Sequence, residues 1–304
     1  MSGDATAVEP DVWLLFGSGY GRHSNPGSEE LARAFEQRFG NRCRIVDSRR
    51  LLLGVRAGRL VLEDLERRPV SPPRVVYSRL STTRLSADRE VTLLRQLELM
   101  GAVLLNGIEA ITAGVNKFWQ LQQLAIADLP VMDTFTYADA ALKHVVAVDI
   151  PHPCVVKSVR GNGGKNVFLA HDPALLRDIH GSLDEDSPYL FQEYLEYSHG
   201  RDLRVVVVDG RAVGAYERWS ADGGLTANHS RGGSYRVCLG AHPEAEELAV
   251  RAAAALAMQV AGVDLLYRPA GGFAICEVNP HPALRAFLGG LAPAIVDACA
   301  ARLT

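Results

Sequence analysis

The sequence predicts a mixed α/β and α+β protein: an open α/β domain at the N-terminus, followed by a two-lobed region of hairpins and helices. Short apolar runs alternate with helix-period segments over residues 12–105, the texture of a parallel sheet buried on both faces. From residue 116 antiparallel signals appear, notably the turn pair Asp209-Gly210 between DLRVVVV and RAVGAYER. A length of 304 residues, 48% of them hydrophobic, is enough for two or three cores.

VWLLF (12–16), stopped by glycines, is the first strand. Residues 28–39 carry Leu31, Ala34, Phe35 and Phe39 at helical spacing behind a Ser28 cap and two glutamates. RIVD (44–47), RVVY (74–77) and AVLL (102–105) are further strands, with a helix over 87–99 between the last two. A helix at 116–127 opens the next region, then a strand at 131–136, a helix at 138–147 and a strand at 153–158. The glycine-rich loop GNGGKN (161–166), a strand at 167–170 and a helix at 173–180 follow. YLFQEYL (189–195), DLRVVVV (202–208) and RAVGAYER (211–218) are strands. A helix at 243–261, a hairpin of VDLLYR (263–268) and FAICEVN (273–279), and a helix at 283–302 close the chain. Boundaries near 115 and 188 give a domain at 1–115, a first lobe at 116–188 and a second lobe at 189–304.

A formal charge of −3 gives no basic field for a nucleic-acid partner. No window reaches the about 18 to 20 apolar residues of a membrane span; Arg251, Gln259 and Asp264 interrupt the best candidate, 249–266. Residues 1–11 lack the basic and apolar regions of a signal peptide. Five cysteines without CxxC spacing argue against a disulfide framework or structural zinc, so the expected compartment is a reducing cytoplasm.

The strongest constellation is the last hairpin. With PAGG (269–272) as a four-residue connection, Asp264 lies opposite Glu277, and alternation puts Asn279 on the face of Glu277. Like charges facing each other destabilise a sheet, and a hard cation such as Mg²⁺ removes the conflict. In CVVKSVRGNGGKNV (154–167), Lys157 ends a buried strand before a glycine-rich turn that can meet phosphate with backbone N–H groups. It is not a Walker A loop, because Val159 and Asn166 occupy two of its required positions, and a plain hairpin turn remains the alternative.

LFQEYLE (190–196) ends an apolar strand in Gln192-Glu193, where backbone groups could read an adenine edge. In GRDLRVVVV (200–208), Asp202 and Arg204 share the face opposite Leu203, Val205 and Val207. A regular hairpin puts Arg204 opposite Ala215 and Asp202 opposite Glu217, so Arg218 reaches the same face only through a bulge or a strand end. ANHSRGGSY (227–235) offers Asn228 and Arg231. GSGYGR (17–22) follows a strand, but Arg22 stands where a dinucleotide fingerprint needs glycine, leaving a substrate-facing loop or an ordinary turn. No histidine pair has zinc spacing, no G-x-S-x-G elbow is present, and Cys276 alternates toward the core.

In this order, strand-Lys-glycine loop, Q-E-Y, D-x-R, N-x-x-R-G-G, G-V-D and E-V-N, the chain resembles the ATP-grasp superfamily and, within it, the RimK-like carboxylate–amine ligases. Those relatives add glutamate to a ribosomal protein or to coenzymes, or join amino acids to a carrier protein. RVVYSRLSTT (74–83) and residues 94–117 are similar to the family's N-terminal domain, so the likeness spans the chain. It implies a pre-ATP-grasp domain followed by a two-lobed ATP-grasp fold, with ATP and Mg²⁺ or Mn²⁺ as cofactors.

By the same resemblance, Lys117, Lys157, Gly163 and Gly164 would contact the nucleotide, Lys157 near its phosphates. Gln192, Glu193 and Tyr194 would line the adenine, and Asp202 the ribose. Asp264, Glu277 and Asn279 would bind metal, and Arg204, Arg218, Asn228 and Arg231 would surround the transferred phosphoryl group. Two departures border the substrate pocket: Thr226 replaces an arginine, and Asn279 is followed by Pro280-His281-Pro282-Ala283.

The implied reaction activates a carboxylate as an acyl phosphate, which an amine then attacks, releasing ADP and phosphate. Expected partners are a small amino acid or other carboxylate and an amine, or a carrier-protein or peptide tail, with neither nucleic acid nor membrane. Self-association is usual among such relatives. A small-molecule kinase and a non-catalytic nucleotide-binding regulator are the competing readings.

Overall fold

The structure is a computed structural model that describes residues 10–17, 19–81, 85–161, 164, 166–184, 187–227, 233–285 and 287–304. The chain forms two compact units. The first takes the chain up to Ile111 with Ala257–Val260 and Pro280–Thr304; the second takes Thr112–Leu256 with Ala261–Asn279. The segments expected as two lobes, 116–188 and 189–304, therefore contribute to one unit as far as Asn279 except for Ala257–Val260, and the chain's end lies with the first.

The first unit is built on β1 (Val12–Phe16), α1 (Pro26–Phe39), β2 (Cys43–Asp47), a hairpin of β3 (Leu51–Arg56) and β4 (Arg59–Asp64), β5 (Val75–Arg79), α2 (Thr92–Leu99), β6 (Val103–Leu105) and the start of α3 (Ile108–Ala113). Its sheet has the order β2-β1-β5-β6, every pair parallel. All five residues of β1 and of β5 are buried, as a sheet covered on both faces requires. Asn25, not Ser28, caps α1, accepting from the Ser28 N–H; Ser28 lies inside the helix and is buried. The expected helix at 283–302 begins only at Leu291, directly after the Gly289-Gly290 pair, whose glycines disfavour an unbroken helix through that point. The irregular stretch packs close to α1, where a Cβ on Gly27 would collide with the Leu284 carbonyl.

The β3–β4 hairpin was not expected from the sequence. Its turn, Ala57-Gly58, has positive φ at both residues (49° and 75°), a conformation that alanine does not advertise. Buried Asn106 ties the unit's separate chain segments together: its Nδ2 donates to the Val260 and Pro280 carbonyls (2.7 and 2.9 Å), and its Oδ1 accepts from the Val260 N–H (2.8 Å). Asn106→Ala leaves three buried backbone groups unpaired, and urea unfolding should report a loss of about 3 kcal/mol or more.

The second unit starts with α4 (Lys117–Ile126) and a four-stranded antiparallel sheet. That sheet is formed by β7 (Thr134–Phe135), β8 (Cys154–Ser158), β9 (Val167–Ala170) and β10 (Tyr189–Glu193), in the order β7-β10-β8-β9. Helices α5 (Leu142–Val145) and α6 (Pro173–His180) help to cover it, Leu142 and Leu176 joining a core with Cys154, Val156, Tyr189 and Phe191. Alternation then turns Val155, Lys157, Leu190 and Gln192 to the other face. The expected strand 131–136 and helix 138–147 shrink to two and four residues.

A second sheet, β13-β12-β11-β14-β15, contains β11 (Arg201–Val208), β12 (Arg211–Trp219), β13 (Ser234–Val237), β14 (Val260–Tyr267) and β15 (Phe273–Asn279). No apolar alternation signals β13, whose four residues are all exposed. Helix α7 (Pro243–Ala255) packs on β11, β12 and β15 through Ala245, Ala249 and Ala252. It ends six residues short of the expected 261, because the apolar run from Val260 enters β14. As expected, Asp209 and Gly210 both have positive φ (48° and 74°), giving the type I′ turn between β11 and β12.

Candidate active site

Two β-bulges decide which side chains share the site's face. The β14–β15 turn is one residue longer than PAGG, since Tyr267 pairs with Phe273. A bulge at Cys276 absorbs the difference, and Asp264 stands opposite Glu277 as expected. Without it, Cys276 would face Asp264 and Glu277 would turn to the side of buried Ile275 and Val278. The bulge also overturns the expectation that Cys276 faces the core: its thiol lies 3.8 Å from Lys157 Nζ. In β12 the extra residue is Val213, which moves the pairing so that Asp202 faces Arg218 and Arg204 faces Tyr216. The expected partners Glu217 and Ala215 are each displaced by one position, and Arg218 joins the Asp202 face through the bulge it required.

The arginines and aspartates form one network. Arg218 Nε and Nη2 donate to the two Asp202 oxygens (2.5 and 2.7 Å), and Nη2 also reaches Asp264 Oδ1 (2.9 Å). Arg204 grips Asp264 through Nε and Nη2, both at 2.5 Å. Burial pushes the Asp264 carboxyl up, but Arg204 and Arg218 outweigh it and hold it below its ordinary value. Burial dominates at Asp202, which is raised despite Arg218. The Asp202 carboxylate is thus committed to Arg218 rather than open to a ribose.

Asn279 Nδ2 donates to Glu277 Oε1 (2.9 Å), and its oxygen accepts from Arg204 Nη2 (3.1 Å). Lys117, at the start of α4, donates to the Gly161 carbonyl (2.5 Å) and lies 3.9 Å from Glu277 Oε2. Buried Lys157 donates to Gln192 Oε1 (2.8 Å), and Gln192 Nε2 donates to Thr134 Oγ1 (2.7 Å). Gln192 therefore orients a lysine and is not directed at an adenine. Gln192→Met removes the oxygen at nearly constant volume, and kcat/KM for ATP should fall by about 10- to 100-fold, together with a stability loss of about 1 to 3 kcal/mol from the Lys157 ammonium left without its acceptor.

Glu193 exchanges backbone and side-chain contacts with Asp133, and Tyr194 Oη meets His199 Nδ1 (2.7 Å). Gly164 has φ of 68°, within the glycine-rich turn. Gly163, Asn228 and Arg231 lie outside the described residues. Two positioning groups escaped the sequence reading. Thr134 holds the Gln192 amide, and Gln120 accepts the Val278 N–H (2.8 Å), fixing β15 against α4. The signal for Gln120 was its spacing, three residues after Lys117 on one helix face.

Four cations and three carboxylates meet here. Among the described residues no three His, Cys, Asp or Glu side chains group as metal ligands. The donors are two carboxylates and an amide, whose hard oxygens suit Mg²⁺; Arg204 and Arg218 occupy the Asp264 oxygens, so a cation bound there would take their place on that carboxylate.

The chain is 38% identical over 289 residues to β-citrylglutamate synthase B of Homo sapiens, spanning 93% of this chain and 74% of that protein. It is 37% identical over 264 residues to N-acetylaspartylglutamate synthase A of Homo sapiens, spanning 85% and 67%. Among solved structures, the ATP-grasp ligase PsnB in complex with a phosphomimetic variant of a minimal precursor, Mg and ADP matches with a TM-score of 0.69 at 20% identity. That match covers 97% of this chain and 99% of the other. No helix among the described residues is long and apolar enough to cross a membrane. Residues 115–292 match the RimK-like ATP-grasp domain. The chain belongs to the RimK-like ATP-grasp family and is an ATP-dependent ligase that joins a carboxylate to an amine.

Proposed function

We propose that this ligase joins glutamate to one carboxylate of a small acid carrying two or three of them. The two human relatives are named for products in which a citryl or an N-acetylaspartyl group is linked to glutamate. The observation that carries the catalytic reading is the cluster in which Lys117 and Lys157, from a helix and one sheet, meet Asp202, Arg204, Arg218, Asp264 and Glu277 on the other sheet.

In the first step a carboxylate oxygen attacks the γ-phosphorus of ATP and ADP leaves. In the second the amine nitrogen attacks the acyl carbon, phosphate departs, and the nitrogen loses a proton. Such transfers need alignment and fixed charge more than covalent help. Asp202 and Asp264 engage Nε and Nη2 of the two arginines, leaving each Nη1 for a substrate oxygen. Lys117 and Lys157 would meet the phosphates, and the backbone at Glu193 and Tyr194 the adenine. Asp264, Glu277 and Asn279 would hold a divalent cation, which when bound neutralises phosphate charge.

The test supplies MgATP with citrate or N-acetylaspartate and glutamate, and measures ADP, phosphate and product mass. Stoichiometric ADP, phosphate and amide, dependent on both substrates, is expected. ADP release at full rate without glutamate would replace the reading by that of a kinase.

A further inference from the structure

The first unit contains a cluster of buried polar side chains that the chemistry above does not use. In its parallel sheet, β1 leads through α1 to β2 on one side, whereas β5 lies on the other side of β1 and leads on to β6. The chain order therefore reverses between β1 and β5, and in open α/β sheets the crevice beyond the carboxyl ends of such a strand pair is where ligands bind.

Arg79 ends β5 at this point and is 2% exposed. Its carbonyl accepts from the Gly17 N–H that follows β1 (3.0 Å), and its Nη1 donates to the Pro282 carbonyl (2.9 Å). The Tyr20 ring covers the guanidinium, 5.2 Å from its carbon. Nε has no partner, and among the described residues no carboxylate pairs with Arg79. His281, 8% exposed and adjacent to Pro282, has no partner on either ring nitrogen. A buried cation without a counter-ion is unfavourable, and so are buried ring nitrogens without hydrogen bonds. One arginine and one imidazole match a singly charged, planar anion better than a phosphate dianion.

We infer that Arg79 and His281, roofed by Tyr20, form a binding site for a carboxylate carried by one of the substrates. Two substrates offer such a group: the acid through its spare carboxylate, and the amino acid through its own. The inference rests on the ligase reading for the identity of the ligand, and on the first unit alone for the existence of the site.

The experiment uses the full chain and the variants Arg79→Met, Arg79→Lys, His281→Asn and Tyr20→Leu. Steady-state kinetics should show Arg79→Met raising KM for one carboxylate substrate about 100-fold or more, with KM for ATP nearly unchanged and partial recovery in Arg79→Lys. The substrate whose KM moves identifies the source of the carboxylate. Unchanged KM values for both in folded Arg79→Lys and His281→Asn overturn the site. Should Arg79→Met fail to fold, His281→Asn and Tyr20→Leu decide by the same criterion.

Calorimetric titration without ATP separates this inference from the ligase reading. Citrate, N-acetylaspartate or glutamate binding to the wild type, and weakened in His281→Asn, supports the site even if no amide is ever formed. No binding of any of the three overturns it even if the chain proves to be a ligase.

Discussion

Glu277→Gln is expected to lower kcat by about three orders of magnitude while leaving unfolding within about 1 kcal/mol of the wild type. Glu277 is held lightly: Lys117 stands 3.9 Å from one oxygen and the Asn279 amide 2.9 Å from the other. A glutamine of the same shape removes the negative charge and keeps an acceptor oxygen toward Asn279, its NH₂ group turning to the more distant Lys117. The loss should therefore appear in turnover and in the Mg²⁺ concentration needed to reach it. Near-normal kcat at limiting Mg²⁺ would remove Glu277 from the metal site.

Asp264→Asn should fail in two ways at once, losing turnover and about 3 to 5 kcal/mol of stability. The sequence suggests that either carboxylate could be neutralised without harm to the fold, and the structure restricts that expectation to Glu277. Asp264 is the shared anion of two nearly buried guanidinium groups, Arg204 at 2.5 Å and Arg218 at 2.9 Å. An amide cannot accept from both forks, and two cations would remain without their counter-charge. Because the Asp264 carboxyl titrates below its ordinary 3.8 when folded, its contribution is fully present above that pH and disappears as pH falls through the folded value. The variant lacks the contribution at every pH, so its acid limb should be flatter in urea midpoints measured across that range. Equal midpoints for wild type and variant at pH 7 would contradict this account.

Strand faces were legible because alternation is strict where one side is buried: Leu203, Val205 and Val207 are fully buried, and Asp202 and Arg204 lie opposite. The partners of Asp264 were not legible. They depend on β11 lying beside β14, strands more than fifty residues apart, and no local pattern encodes that neighbour. The conflict between Asp264 and Glu277 was visible as a conflict, but the arginines that relieve it were not. Element ends failed where apolar composition runs on through a change of structure, as from α7 into β14. The short β3–β4 hairpin failed because its turn residues carry no strong preference.

The extra residues Val213 and Cys276 also have a meaning for how such a gene can change in length. Each is the surplus member where two residues oppose one, so its deletion would leave a regular ladder with Arg218 still across from Asp202 and Glu277 still across from Asp264. Loss of any residue from Gly214 to Glu217 keeps that register only if the surplus residue moves into the ladder, which gives side chains between it and the gap new places on the sheet. Alignment gaps among descendants of this chain should therefore gather at those two positions, where a codon can vanish without disturbing catalysis.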